Sequence, residues 1–136
     1  MIRDIVHSET FLSEPSVPAT VMDAQTGRDL LDTLRANADR CVGMAANMIG
    51  VKRRIIVFDD NGTYRLMFNP EIIQKSLEYE TEEGCLSLEG VRKTIRYGKI
   101  KVRFQDEAFA EHTEVFRDFT AQIIQHEIDH CNGILI

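Results

Sequence analysis

The sequence predicts an α+β fold, with strands in the middle of the chain and a helix toward each end. Runs of residues that are typical of strands occur at 54–58, 65–70 and 100–104. Apolar residues recur at helical spacing over 21–40, and again from residue 119 onward. The length of 136 residues suits one core, so residues 1–136 are expected to form a single domain.

The first helix is expected to occupy 21–40. Thr20 followed by Asp23 resembles a capping box, in which each side chain accepts a hydrogen bond from the backbone N–H of the other residue. Gly27 is expected to weaken the middle of this helix. Residues 11–20, which hold two of the three prolines, are expected to form an extended arm over the surface. An apolar stripe suited to core packing is formed by Leu30, Leu31, Leu34 and Ala38.

The strand-like runs are bounded by turn signals. Asp60-Asn61-Gly62 separates the first two runs and is typical of a tight hairpin turn. In the third run, Lys101 and Arg103 alternate with apolar residues, which predicts a strand with one face in water. Val115 and Phe116 are expected to lie on the last strand, before the second helix.

The most informative segment, residues 126–130, reads His-Glu-Ile-Asp-His. Two histidines four residues apart lie on one face of a helix and can bind one metal ion, while Glu127 can act as a general base. The alternative is a histidine pair on a charged helix surface. Apolar residues at helical spacing precede the motif and indicate a packed helix, whose polar side chains then need partners such as a metal ion.

A catalytic metal of this kind usually has three protein ligands and one open position. Cys85 is the best candidate for the third ligand, because glycines flank it and allow the backbone to turn. The alternative for Cys85 is a small buried apolar residue, the usual environment of a free cysteine. Cys41 and Cys131 fit that alternative better.

Composition limits the function. Apolar residues make up 43% of the chain and charged residues 28%, which is ordinary for a globular protein. The net charge of −6 disfavours a general nucleic-acid or membrane-surface role, although a local basic patch is compatible with this net charge. There is also no direct nucleic-acid motif. Three cysteines indicate a reducing compartment, and no apolar run is long enough to span a membrane. The protein is therefore predicted to be cytoplasmic.

Three segments, in order along the chain, resemble the motifs of the bacterial peptide deformylase family. Residues 126–130 match H-E-x-D-H in full, and residues 83–87 match E-G-C-L-S in full. Residues 41–50 match G-x-G-Φ-A-A-x-Q-Φ-G in part, where Φ is apolar. The resemblance implies mixed and antiparallel sheets packed around a central metal-binding helix. It also implies a hydrolase that removes the N-formyl group from the N-terminal methionine of newly made polypeptides, at or near the ribosome.

The resemblance further implies roles for individual residues. One divalent metal ion, most commonly Fe(II) and otherwise Zn(II), Ni(II) or Co(II), is expected on Cys85, His126 and His130. Glu127 is expected to act as the general base, and the backbone N–H of Leu86 to stabilise the oxyanion. Asp129 is expected to orient a partner, and Arg92 either does the same or is a solvated surface charge. The residues expected to bind substrate are Val42, Gly43, Met48, Glu83 and Gly84.

The first motif departs from the family pattern. Met48 occupies the position of a glutamine whose amide donates to the formyl oxygen in the family, and a thioether cannot donate. Cys41 replaces a glycine, and Asn47 could supply an amide from a shifted position. Three functions therefore stay open: an active deformylase, a metal-binding relative with weak activity, and a hydrolase acting on a different N-acyl or amide substrate.

Overall fold

The computed structural model describes residues 1–136, and the predicted α+β fold is confirmed. The helices are α1 (Glu9–Leu12), α2 (Ala24–Ala36) and α3 (Asp118–Cys131). The strands are β1 (Gly43–Ala45), β2 (Ile55–Asp60), β3 (Thr63–Cys85), β4 (Leu88–Gln105) and β5 (Glu111–Arg117). Two short 3₁₀ helices span Val21–Asp23 and Ala46–Ile49. None of the helices is both long and apolar enough to span a membrane.

The five strands form one sheet in the order β1-β2-β3-β4-β5, with every neighbouring pair antiparallel. The predicted hairpin turn is present between β2 and β3, where Asn61 and Gly62 both have positive φ, as a tight two-residue turn requires. Parallel pairing is limited to an isolated bridge between Val17 and Arg53. The sheet is thus antiparallel rather than mixed, because the connections between consecutive strands are too short for the crossover that a parallel pair needs.

Strands β3 and β4 are 23 and 18 residues long, far longer than the predicted runs at 65–70 and 100–104. Most of residues 71–82 are exposed, so this part of β3 lacks the apolar alternation of a strand that covers a core. The two strands remain paired as far as Cys85 and Leu88. The paired strands form a long two-stranded ribbon, the β3–β4 ribbon, which places Cys85 at the functional site.

Helix α2 is shorter than predicted and begins later. The Thr20–Asp23 capping box is present, but it starts the 3₁₀ turn that precedes the helix. The helix ends at Ala36 rather than near residue 40. Gly27 also has a packing role: a Cβ atom there would lie 2.7 Å from Cζ of Phe68, so the glycine permits close packing of α2 on the sheet.

The sheet lies between α2 and α3, and β2 has core on both faces. Ile55 and Val57 pack in the cluster that contains the α2 leucines, while Ile56 and Phe58 pack in the cluster that contains the apolar residues of α3. The predicted arm over residues 11–20 is present only in part, because α1 extends to Leu12 and Leu12 is buried. Beyond α1, the backbone N–H of Ser16 donates to the carbonyl of Cys131 at the end of α3. Helix α3 is therefore held between the sheet and the arm, which fixes the histidine motif in the interior.

Candidate active site

The three residues expected to bind metal come together at one point. On α3, Nε2 of His126 lies 3.2 Å from Nε2 of His130. At the end of β3, Sγ of Cys85 lies 3.2 Å from the same His130 nitrogen. The ligand atoms all lie within 4.8 Å of one another. Residues up to 45 positions apart in sequence thus present one soft sulfur and two imidazole nitrogens to a common point.

Glu83 fixes the orientation of His126. Its Oε1 lies 2.8 Å from Nδ1 of His126, which turns Nε2 of that ring toward the other ligands. The Glu83 carboxylate also accepts hydrogen bonds from Arg96 and from Nε2 of Gln122. Burial raises the pKa of Glu83, but the bonds from His126, Arg96 and Gln122 outweigh burial and lower it to about 2. Glu83 is therefore ionised at neutral pH.

Arg96 links two parts of the site and was missed by the sequence analysis. Besides Glu83, it donates to Oδ2 of Asp129 at 2.7 Å, so Asp129 orients a partner as expected. Arg96 is 3% exposed, and its even position on β4 places it on the same face as Ile100 and Val102. This alternation along β4 is the sequence signal that could have predicted a buried position for Arg96. Arg92 instead lies 3.5 Å from Glu9 of α1.

The residues fit a metal cation. Burial and His126 lower the pKa of His130 to about 3, so its Nε2 lone pair is free to bind a metal. Burial opposes a charge on His126, yet Glu127, Cys85 and Glu83 raise the pKa of His126 to about 10. The ionised carboxylate of Glu83, bonded to Nδ1 of the same ring, favours a cation at Nε2 of His126. A thiol and two imidazoles in this arrangement match the ligand set of a catalytic transition-metal site.

Glu127 is positioned as a proton acceptor beside these ligands. It is 4% exposed, and its Oε1 has no hydrogen-bond partner. Burial raises its pKa to about 7, within the range that suits a general base at neutral pH. A Cβ atom at Gly43 would lie 2.9 Å from Oε2 of Glu127 and 2.7 Å from Cγ2 of Ile123. Gly43 therefore keeps open the space that the Glu127 side chain occupies.

An open cavity of about 650 Å³ leads to the ligands. Among the residues expected to act in catalysis or substrate binding, Val42, Gly43, Glu83, Gly84, Leu86 and Glu127 line it. Phe119, Leu88 and Ile123 add apolar surface, and Phe119 is 60% exposed although a packed position was expected. Cys41 also lines the cavity and donates to the carbonyl of Gly43, while burial raises the pKa of its thiol to about 12.

Met48 and Asn47 lie outside the cavity lining. Met48 is 1% exposed, and its sulfur accepts from the backbone N–H of Ala45 at 3.4 Å. Asn47 is equally buried, and its Nδ2 donates to the carbonyl of His130 at 2.9 Å. The amide that could have replaced the family glutamine is thus engaged with α3.

Comparison with known proteins agrees with this geometry. The family model described as "Polypeptide deformylase" matches residues 3–136. Over the full length of both chains, the protein is 54% identical to the peptide deformylase of Clostridium beijerinckii. It is 41% identical to peptide deformylase 1 of Clostridium perfringens, over 79% of this chain and 74% of that protein.

Solved structures show the same fold. The Met-Ala-Ser-bound class I type b peptide deformylase of Acinetobacter baumannii superposes with a TM-score of 0.89 at 26% identity, covering 99% of this chain and 97% of that one. Peptide deformylase of Thermotoga maritima superposes with a TM-score of 0.87 at 30% identity, covering 99% and 94%. The chain therefore belongs to the peptide deformylase family, metal-dependent hydrolases that remove the formyl group from the N-terminal methionine of nascent peptides.

Proposed function

We propose that Cys85, His126 and His130 hold the catalytic metal of this deformylase and that Glu127 is its general base. One observation carries the proposal: three ligand atoms converge at the cavity, beside a buried carboxylate oxygen that has no partner. Fe(II) is the proposed physiological metal, with Zn(II), Ni(II) or Co(II) as possible substitutes. Such a cation supplies Lewis acidity to the formyl group and to water.

Proton transfer, stabilisation of the oxyanion and substrate binding are assigned to groups of the protein. Glu127 accepts a proton from the attacking water and delivers a proton to the leaving amine of methionine. The backbone N–H of Leu86 donates to the oxygen that becomes negative in the transition state. Val42, Gly43 and Gly84 receive the substrate backbone in an extended pose. Glu83 lines the same wall, and its carboxylate holds His126 in the ligand orientation.

The proposed substrates are N-formyl-methionyl nascent polypeptides, taken at or near the ribosome in the cytoplasm. We also propose that residues 1–136 act as one domain, because the two apolar clusters share the same sheet and are not separated by a linker.

Hydrolysis of N-formyl-Met-Ala-Ser by the Fe(II)-loaded protein, kept free of oxygen, tests the proposal. Formate release is expected, with little release of acetate from the matched N-acetyl peptide. Zn(II)-, Ni(II)- and Co(II)-loaded samples assayed in parallel identify the metals that support turnover. Preferred hydrolysis of the acetyl peptide would instead favour a different N-acyl substrate.

A further inference from the structure

A chain of hydrogen bonds leads from Tyr79 on β3 to His126, one of the proposed metal ligands. The Tyr79 hydroxyl donates to Oε1 of Gln122 at 3.3 Å. Nε2 of Gln122 donates to Oε2 of Glu83 at 2.9 Å. The other carboxylate oxygen, Oε1 of Glu83, lies 2.8 Å from Nδ1 of His126. Tyr79 and Gln122 are thus connected to a metal ligand, although neither residue is a ligand itself.

The periodicities of strand and helix bring these groups together. Tyr79 and Glu83 are four residues apart on β3, so their side chains point to the same face of the β3–β4 ribbon. Gln122 and His126 are four residues apart on α3, so they lie on the same face of the helix, about one turn apart. The Glu83 carboxylate can therefore bond both helix residues at once, with one oxygen for each.

The polarity of the chain is consistent at every bond. An ionised carboxylate only accepts hydrogen bonds, so the NH₂ group of the Gln122 amide must face Glu83. The amide oxygen then faces Tyr79, whose hydroxyl donates to it. Rotation of the amide away from Glu83 would break both bonds. Tyr79 therefore holds Gln122 in the orientation that supports the carboxylate.

We propose that Gln122 and Tyr79 are positioning residues of the metal site. Arg96 binds both oxygens of Glu83 from β4, whereas Gln122 binds one oxygen from the metal helix itself. With Oε2 engaged by Gln122, Oε1 is directed at Nδ1 of His126, and the ring keeps Nε2 toward the other two ligands. Groups that orient a ligating histidine raise metal affinity. The inference rests on the metal site proposed above and extends it by two residues.

Positioning can be measured apart from substrate binding. Gln122 also lines the active-site cavity, so a change there could alter contacts with the peptide as well. Tyr79 does not line the cavity, and Tyr79→Phe removes only the hydroxyl group. Metal affinity determined in the absence of peptide therefore reports on positioning in both variants.

Equilibrium binding of Co(II), followed by visible absorption in competition with a chelator of known affinity, tests the proposal. Gln122→Met keeps the length of the side chain without its polar groups, and it should weaken Co(II) binding about tenfold, as loss of an outer partner of a ligand does. Tyr79→Phe should weaken binding by about two- to threefold, because one hydrogen bond farther from the metal is lost. The double variant should bind like Gln122→Met alone, because the hydroxyl acts through the amide. The visible spectrum of bound Co(II) should change with Gln122→Met, since the His126 ring is less firmly oriented.

Gln125→Met is the matched control on the same helix. The Gln125 amide bonds only backbone atoms, those of Tyr97 and Ala121, and makes no bond to Glu83. This variant should bind Co(II) like the wild type, even if it is less stable. Equal weakening in the control, or wild-type affinity and an unchanged spectrum in Gln122→Met, would overturn the positioning role.

Two further results bear on the proposed metal site rather than on positioning alone. Failure of the wild type to bind Co(II), or wild-type Co(II) affinity in Cys85→Ser, would overturn the ligand set and the inference with it. Tight binding by the wild type, strong loss in Cys85→Ser and no loss in either Gln122→Met or Tyr79→Phe would overturn the positioning role and leave the metal site intact.

Discussion

Glu127 and Gly43 are the single residues on which the proposed reaction depends most directly. Glu127 is buried, and one of its carboxylate oxygens has no hydrogen-bond partner. Burying an unpaired polar atom costs free energy, and such groups occur most often at functional sites. Gly43 lies directly against Glu127. The proposed chemistry therefore depends on the carboxylate of Glu127 and on the absence of a methyl group at Gly43.

Glu127→Gln should separate metal binding from catalysis. The amide keeps the size of the carboxyl group but cannot accept the proton of water, so turnover should fall by about 100-fold or more. Metal content should be retained, because Cys85, His126 and His130 are untouched. Formate release and metal analysis on the same sample check both points. Turnover near that of the wild type would mean that another group is the base.

Gly43→Ala should lower kcat through displacement of Glu127. The new Cβ would lie 2.9 Å from Oε2 of Glu127 and 2.7 Å from Ile123, so at least one of these side chains must move. A displacement of about 1 Å at a reacting group can cost about 100-fold. Gly98→Ala, whose Cβ would meet Leu77 at 3.3 Å outside the site, is the control. Equal kcat values for the two variants would contradict this account.

Met48→Gln should raise kcat more than it changes KM, because a restored amide donor matters most in the transition state. The gain should be at most about 100-fold. It should be reduced because Met48 is buried, and an amide there needs a partner such as the Ala45 N–H. Asn47→Ala is assayed in parallel. No gain from the glutamine, together with a large loss of kcat at constant metal content in Asn47→Ala, would move the oxyanion role to Asn47.

At the scale of elements, the close packing of α2 on the sheet depends on Gly27. Phe68 is fully buried and packs against Phe109 with ring centroids 4.8 Å apart, so its ring has little room to retreat from α2. This contact joins the N-terminal helix to the strand that farther along carries Cys85.

Gly27→Ala should therefore destabilise the protein, although alanine is the better helix former by about 1 kcal/mol. Its Cβ would lie 2.7 Å from Phe68 Cζ, and overpacking of a core typically costs about 1–3 kcal/mol. Denaturant unfolding monitored by circular dichroism measures the change. A rise in the free energy of unfolding would show that the ring moves aside and that helix propensity dominates.

At the scale of the whole molecule, we expect metal binding and folding to be coupled. The proposed ligands come from α3 and from the far end of the β3–β4 ribbon, so a bound cation would join the two parts of the chain. A cation that binds the folded state but not the unfolded state stabilises the fold.

Removal of the metal with a chelator should lower Tm and should make the pH dependence of stability sensitive to Glu127. In the metal-free protein, burial raises the pKa of Glu127 from 4.5 to about 7, so between these values the folded state keeps a proton that the unfolded state releases. Glu127 thus lowers the free energy of unfolding as pH rises across that range, whereas His130, whose pKa is lowered to about 3, raises it below its ordinary pKa of 6.5. Glu127→Gln should therefore make the free energy of unfolding rise more steeply with pH than it does in the wild type. Thermal unfolding at a series of pH values checks this, and the same pH dependence in both proteins would contradict the role of Glu127.

The sequence by itself determined the fold class, the hairpin turn and the residues expected to bind metal. These features depend on local rules: alternation along a strand, positive φ in a tight turn, and histidines one helical turn apart. The capping box was also local, and it is present at Thr20 and Asp23. The prediction that Cys85 binds metal depended on its short motif together with the family resemblance.

Only the tertiary structure decided the features that depend on distant residues. Much of β3 is exposed, so pairing with β4 rather than an apolar pattern makes it a strand. Arg96 gained its role from Glu83 and Asp129, which lie on other elements. Gly27 became a packing residue because Phe68 lies against it, and the amide of Asn47 is turned toward α3. Each outcome depends on which residue approaches from elsewhere in the chain, and no periodicity within one element encodes that approach.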